Sequence, residues 1–166
     1  MMKHRKQTAR FARKVKVLWL AGRIAFWICA VSVLAKFLSL PRALNFISPR
    51  RIAPRRAVSD LQVTPYIARV IGITDRILEL NFFVFTPTCW KRAAILYRYL
   101  ARDYTNVRLC FGARRNKMID ALEAHAWIEI NAQAAFEREP PAYFYTYIYP
   151  SLPSSPPHVT ENARGA

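Results

Sequence analysis

The chain has 166 residues, which is enough for one ordinary domain with flanking segments. Hydrophobic residues make up 53% of it and charged residues 22%, a composition that excludes a chain disordered throughout. The cysteines, Cys29, Cys89 and Cys110, are too few and odd in number for a disulfide scaffold, so we expect free thiols.

The net charge of +16 is concentrated in the first third of the chain. Residues 1–59 contain 14 Lys and Arg and no Asp or Glu, whereas residues 60–166 contain 12 basic and 10 acidic residues. The remainder therefore predicts a nearly neutral globular domain. Nucleic acid is not the expected partner, because no aromatic residues are interleaved with the arginines at 48–59, as they are in single-strand binders.

An apolar run over residues 17–40 predicts a hydrophobic helix inside this basic segment. Arg23 and Lys36 leave 12 uncharged residues between them, whereas a membrane span needs about 20 apolar residues. The pattern leaves open an interfacial helix on anionic lipid, a single span, or a helix covered by a partner or by the rest of the domain. A cleaved signal is disfavoured, because residues 38–42 (LSLPR) offer no small-residue cleavage site.

The next segments predict a linker followed by helical structure. Residues 48–59 contain two prolines and four arginines, which is typical of a solvated linker and places a domain boundary near residue 60. Apolar residues recur at helical spacing over residues 61–80 and predict one or two short helices. Residues 81–88 predict a brief extended stretch.

A further helix is predicted to begin at Cys89. Thr86 or Thr88 can cap it, and an apolar stripe runs along it from Ala93 to Leu100. Cys89 therefore falls in the first helical turn, where unpaired backbone amides and the helix dipole favour a thiolate over a thiol.

Three later segments predict strands. Residues 107–113 and 124–131 alternate with a period of two, and the tyrosine-rich residues 143–149 are a possible third strand. These segments place the globular domain at residues 60–149. The Pro and Ser content of residues 150–166 predicts a disordered tail.

Nucleophilic chemistry is the reaction type that these residues allow. An activated cysteine needs a histidine as base, and His125 is the histidine within the predicted domain. An acceptor must hold the other ring nitrogen, and Glu129, Asn131 and Glu137 are the candidates. A zinc site is disfavoured because the chain has no C-x-x-C pair, and no metal or other cofactor is expected.

Three ordered motifs resemble one known family. They are residues 89–100 (CWKRAAILYRYL), 107–114 (VRLCFGAR) and 124–130 (AHAWIEI). Together they are similar to the transglutaminase-like protease domain of lasso-peptide maturation proteins, the microcin-processing family. The similarity covers roughly residues 60–140, and the Arg-bearing apolar stretch before it is also similar to the one that precedes this domain in many members.

The resemblance implies an α+β, papain-like and transglutaminase-like cysteine protease core, in which a helix bearing the Cys packs on an antiparallel sheet bearing the His. It implies Cys89 as nucleophile and His125 as base of a leader peptidase. The family's aspartate position is occupied here by Glu137, so the third role falls to Glu137 or passes to Asn131. It also implies a precursor leader peptide, a separate leader-recognition protein and a lasso cyclase as partners, in the bacterial cytoplasm at the inner face of the membrane.

Two other functions compete with this one. One is a peptidase or acyltransferase of the same fold outside lasso biosynthesis. The other is a non-catalytic, membrane-associated adaptor that binds a peptide, which the glutamate in place of the family's aspartate keeps open.

Overall fold

The computed structural model describes residues 2–49, 64–116, 121–137 and 141–150. In these ranges, helices and strands follow each other in this order: α1 (Met2–Phe37), α2 (Leu40–Ile47), α3 (Pro65–Glu79), α4 (Cys89–Asp103), β1 (Val107–Asn116), β2 (Ala121–Ile130), β3 (Gln133–Ala135) and β4 (Phe144–Tyr149). The predicted α+β class is confirmed. The boundary near residue 60, most of the predicted linker and the tail from residue 151 lie outside the described residues.

The strands form one antiparallel sheet in the order β3-β2-β1-β4. Val107 pairs with Ile130 at one end of the β1–β2 ladder, and Asn116 pairs with Ala121 at the other. The three predicted strands are confirmed, and β3 adds a short fourth one. The pairing of β1 with β4 shifts register between Phe111 and Gly112, which is a β-bulge.

Gly112 lies where two strands and an indole ring meet. A Cβ built there would come within 2.7 Å of the Tyr143 Cβ, 2.9 Å of the Phe144 carbonyl oxygen and 2.9 Å of a Trp127 ring carbon. Real Cβ atoms do not approach heavy atoms so closely, so position 112 accepts a hydrogen only. The close approach of β4 to β1 depends on this glycine.

Helix α4 packs on one face of the sheet and carries the predicted buried stripe. Leu96 and Leu100 are 1% and 2% exposed, and Leu109 and Ile128 face them from the sheet. Burying such a side chain stabilises the fold by about 1.5–3 kcal/mol. The domain core therefore lies between α4 and the sheet.

The basic N-terminal segment forms a helix that shares this core. Leu20, Ile24, Ile28 and Val31 are buried at spacings of three or four residues, and α1 packs on α3 and α4 with that side. Lys14–Phe37 is also long and apolar enough to cross a membrane by length and composition alone, a test that core helices of soluble proteins pass as well. The sequence left open whether a membrane, a partner or the rest of the domain covers this helix. In the structure, the rest of the domain covers one side of α1.

Of two predictions for the segment before α4, one agrees with the structure and the other does not. Helix α3 is one continuous helix capped by Thr64, whose hydroxyl accepts a hydrogen bond from the Ile67 amide at 3.3 Å. The predicted extended stretch at 81–88 is wrong, because Asn81 and Phe83 adopt φ values of 46° and 52° and the chain turns there. Contacts from α4, described next, hold this turn in place.

Candidate active site

Cys89 is the first residue of α4 and is half-buried. Thr88 occupies the N-cap position, but its hydroxyl makes no capping hydrogen bond. The expected side-chain cap is therefore missing. Only its carbonyl takes part in the helix, accepting from the Arg92 amide at 3.2 Å.

Lys91 fixes the loop that leads into the cysteine. Its side chain is buried, and its ammonium donates to the Val84 carbonyl at 2.9 Å and to the Thr86 hydroxyl at 2.8 Å. Burial lowers the pKa of Lys91. One buried amine in the first turn of α4 thus ties the 84–86 backbone to the helix start. The sequence does not predict this contact, because a solvent-exposed lysine in the first turn of a helix would occupy the same position.

His125 and Glu137 are in direct contact. The distance from His125 Nε2 to Glu137 Oε2 is 3.2 Å, and both side chains are largely buried. An ionised carboxylate there accepts the Nε2 proton, which leaves Nδ1 as the basic nitrogen of the neutral ring. Of the three candidate acceptors, Glu137 is the one that touches the imidazole.

Arg92 links Glu137 to the cysteine helix. Its guanidinium lies 3.6 Å from Glu137 Oε1 and donates to Asp75 Oδ1 at 2.8 Å. Arg92 is one turn after Cys89 on α4, and Asp75 belongs to α3. The carboxylate that holds His125 is thus tied to the first turn of α4 by an ion pair.

The imidazole stacks against two aromatic rings that are themselves adjacent, with centroids 6.2 Å apart. Its centroid is 5.3 Å from that of Tyr143 and 6.1 Å from that of Trp127, and both rings are stacked with it. The Arg114 guanidinium covers Tyr143 at 4.7 Å. These two stacking contacts restrict the ring plane of His125, which is what a base that must point at one atom requires.

The other two candidate acceptors have different partners. Glu129 is buried and accepts hydrogen bonds from Trp127 Nε1 at 3.0 Å and from the Tyr145 hydroxyl at 2.6 Å. Asn131 follows the end of β2, where its side-chain oxygen accepts from the Asn106 amide at 3.2 Å. Neither residue holds the imidazole.

The remaining cysteines lie in different surroundings. Cys110 is buried in β1, and burial together with the neighbouring Glu129 raises the pKa of its thiol well above the ordinary range. Cys29 lies half-buried in α1. Among the described residues, no group of three or more His, Cys, Asp or Glu could hold a metal ion.

The alternation along β2 determines how these parts meet. Ala126, Ile128 and Ile130 belong to the core under α4, whereas His125 and Trp127 alternate with them on the other face. Glu137 follows the edge strand β3 and connects that face to α4. No hydrogen bond joins Cys89 to His125 in the described parts of the chain. The roles of Cys89, His125 and Glu137 stay predictions.

Comparison with known proteins identifies the superfamily of the chain. A family model described as the transglutaminase-like superfamily matches residues 27–149, which include α2 to β4 and the C-terminal part of α1. No curated protein and no solved structure matches the chain significantly.

Proposed function

We propose that this chain, which belongs to the transglutaminase-like superfamily, is a cysteine peptidase acting through an acyl-enzyme on Cys89. The superfamily supports a peptidase or acyltransferase type of activity. The single observation that carries the proposal is the His125–Glu137 contact, tied through Arg92 to the helix turn that begins at Cys89.

The proposed reaction uses His125 Nδ1, because the other ring nitrogen contacts Glu137. His125 Nδ1 removes the Cys89 thiol proton while the sulfur attacks the scissile carbonyl carbon. The tetrahedral intermediate collapses, the C–N bond breaks, and the imidazolium returns the proton to the leaving amine. Water then attacks the thioester with His125 again as base, which releases the carboxylic acid and restores the thiol. For this to occur, the sulfur and the imidazole must come within hydrogen-bond reach in the substrate complex.

The narrower proposal concerns the substrate. Residues 89–100, 107–114 and 124–130 resemble the protease of lasso-peptide maturation, so the substrate we propose is the leader segment of a ribosomally made precursor. A separate leader-recognition protein would deliver this segment, and a lasso cyclase would take the released core peptide. The proposed location is the bacterial cytoplasm at the inner face of the membrane.

Thiol labelling tests the catalytic centre without knowledge of the substrate. The intact protein is treated with a peptidyl electrophile between pH 6 and 9, and the modified cysteine is located by peptide mapping. We expect selective labelling of Cys89 that drops sharply in His125→Ala and persists in Cys110→Ala. Equal, slow labelling of all cysteines, unchanged in His125→Ala, contradicts an assembled nucleophile and favours the adaptor function.

Cleavage of a candidate precursor tests the narrower proposal. The protein is incubated with the precursor, with and without the recognition protein, and the products are identified by mass spectrometry. We expect one cut between leader and core that is faster with the recognition protein. A labelled, active Cys89 that cuts other peptides but not this junction places the enzyme outside lasso biosynthesis.

A further inference from the structure

Helix α1 is apolar on two opposite sides. The side made by Leu20, Ile24, Ile28 and Val31 is buried in the domain. A second side is exposed, and its members are spaced mostly three, four or seven residues apart, which places them on one face of a helix. The exposed members are Phe11, Val15, Leu18, Trp19, Phe26, Val33 and Phe37. This face extends for about 40 Å along the helix axis.

A pocket opens beside the exposed face. It is lined by Trp19, Gly22, Arg23, Phe26, Trp27 and Arg98. The lining thus combines aromatic rings with two guanidinium groups, one from α1 and one from α4.

The two arginines of this pocket are held by rings and not by carboxylates. The Arg98 guanidinium lies 3.3 Å from the centroid of the Trp27 ring and donates to the Ile47 carbonyl, and the Arg23 guanidinium lies 4.5 Å from the Trp19 centroid. Neither forms an ion pair within the described ranges. Burial lowers the pKa of Arg98, and the nearby charge of Arg23 lowers it further. Two like charges kept together without a counterion favour the binding of an anion.

A buried hydroxyl follows Arg98 on the same helix. Tyr99 is 5% exposed, and its hydroxyl has no hydrogen-bond partner among the described residues. Burial raises its pKa, and the positive charges of Arg23, Arg98 and Arg102 act in the opposite direction. Arg102 differs from the other two because it is paired with Asp103 at 3.0 Å. In the described part of the chain, the two pocket charges without a carboxylate partner are therefore those of Arg23 and Arg98.

We propose that this pocket binds the phosphate of an anionic phospholipid, with α1 lying along the membrane surface. A guanidinium group can donate two parallel hydrogen bonds to the oxygens of one phosphate. Indole rings favour the boundary between lipid headgroups and acyl chains. The exposed apolar face enters that boundary, and the basic residues 1–59 are attracted to the negative surface. The inference does not depend on the peptidase activity.

Vesicle binding by the full chain tests the proposal. The protein is sedimented with vesicles of phosphatidylcholine alone or mixed with phosphatidylglycerol. Arg23→Gln removes a pocket charge, and Arg42→Gln removes an exposed charge on α2 as the matched control. We expect binding to the anionic vesicles only, weakened about 10- to 100-fold by Arg23→Gln and about fivefold by Arg42→Gln.

Two further variants separate chemistry from folding. Arg23→Lys keeps the positive charge but loses the planar guanidinium group, so we expect its affinity for anionic vesicles to lie between those of wild type and Arg23→Gln. Trp19→Phe is expected to abolish most of a blue shift in tryptophan emission on binding, because Trp19 is exposed in the free protein. Circular dichroism and thermal unfolding of each variant verify that the helices are retained.

Several results overturn the proposal. Equal binding to neutral and anionic vesicles, or equal losses in Arg23→Gln and Arg42→Gln, shows that the pocket does not select a headgroup. Stabilisation by inorganic phosphate that depends on Arg23, combined with vesicle binding that does not, assigns the pocket to a soluble phosphate. Binding of an acidic peptide through Arg23 without vesicle binding assigns it to a protein partner.

Discussion

Cys89 and Cys110 differ in how each is connected to a glutamate. Arg92, one turn after Cys89, forms an ion pair with Glu137, and Glu137 in turn contacts the His125 imidazole. Cys110 is buried in β1 on the strand paired with that of Glu129, and burial together with the charge of Glu129 raises the pKa of its thiol. A carboxylate next to a thiol keeps the proton on sulfur, whereas a carboxylate that holds an imidazole prepares a base. We therefore expect Cys89, and not Cys110, to be the cysteine that reacts.

Replacing the two cysteines one at a time gives the largest expected difference. We expect Cys89→Ala to abolish peptide cleavage, a loss of at least about a thousandfold, while Cys110→Ala retains the rate. Steady-state cleavage of the precursor measures both. Comparable loss in the two variants would remove the distinction between the two surroundings.

Exchanging the carboxylate behind the imidazole sharpens the comparison. Glu137→Gln cannot hold the Nε2 proton as a carboxylate does, so we expect a 10- to 100-fold lower cleavage rate, about the size found for groups that orient a ligand or base. Asn131→Ala is the control, because its side chain contacts Asn106 and not His125. A rate loss in Asn131→Ala that exceeds the loss in Glu137→Gln contradicts the assignment of Glu137.

The matching exchange at Glu129 is expected to affect folding and not catalysis. Glu129→Gln replaces an acceptor of the Trp127 and Tyr145 hydrogen bonds with a group that is partly a donor. We expect the free energy of unfolding to fall by about 1–3 kcal/mol, measured by chemical denaturation. Glu123→Gln, at a partly exposed carboxylate of the same strand that pairs with Arg114, is expected to lower it by less than Glu129→Gln does. An unchanged midpoint in Glu129→Gln would show that this buried network does not stabilise the sheet.

The smallest expected effect is a pH dependence from Cys110. Its pKa is raised by burial and by Glu129, so the folded protein keeps the thiol proton when the unfolded chain has lost it. Stability from this group is therefore complete below the ordinary thiol pKa of about 8.5 and declines as pH rises above it, by on the order of 1 kcal/mol per pH unit. Unfolding curves from pH 7 to 10 on wild type and Cys110→Ala measure this. A constant difference between the two proteins over the whole range contradicts it.

The sequence predicts the framework well because its signals are local. The alternation in β1 and β2 and the apolar stripe from Ala93 to Leu100 reflect burial on one face, and the structure has the elements that they indicate. Helix α2 was missed, although Pro41 in its first turn is a recognised start signal.

The contacts of the site could not be predicted, because they join residues distant in sequence. Glu129, Asn131 and Glu137 were equal candidates from spacing alone, and only the turn after β3 places Glu137 against His125. Burial of the Lys91 ammonium depends on a turn at residues 82–85, with left-handed backbone at Asn81 and Phe83. The outward apolar face of α1 cannot be distinguished from a core face until its partner helices are placed.

Gly112 affects how activity is inferred from the sequences of related chains. It has no reactive group and is paired across the ladder with His125, yet only a hydrogen fits between it, Tyr143 and Trp127, the two rings that hold the imidazole. A descendant with alanine at 112 would keep Cys89, His125 and Glu137 and would be counted as active from those letters. The added methyl group would have to displace Tyr143 or Trp127, which stack on the imidazole, so we expect loss of activity in such a lineage to begin at a position that no catalytic motif includes.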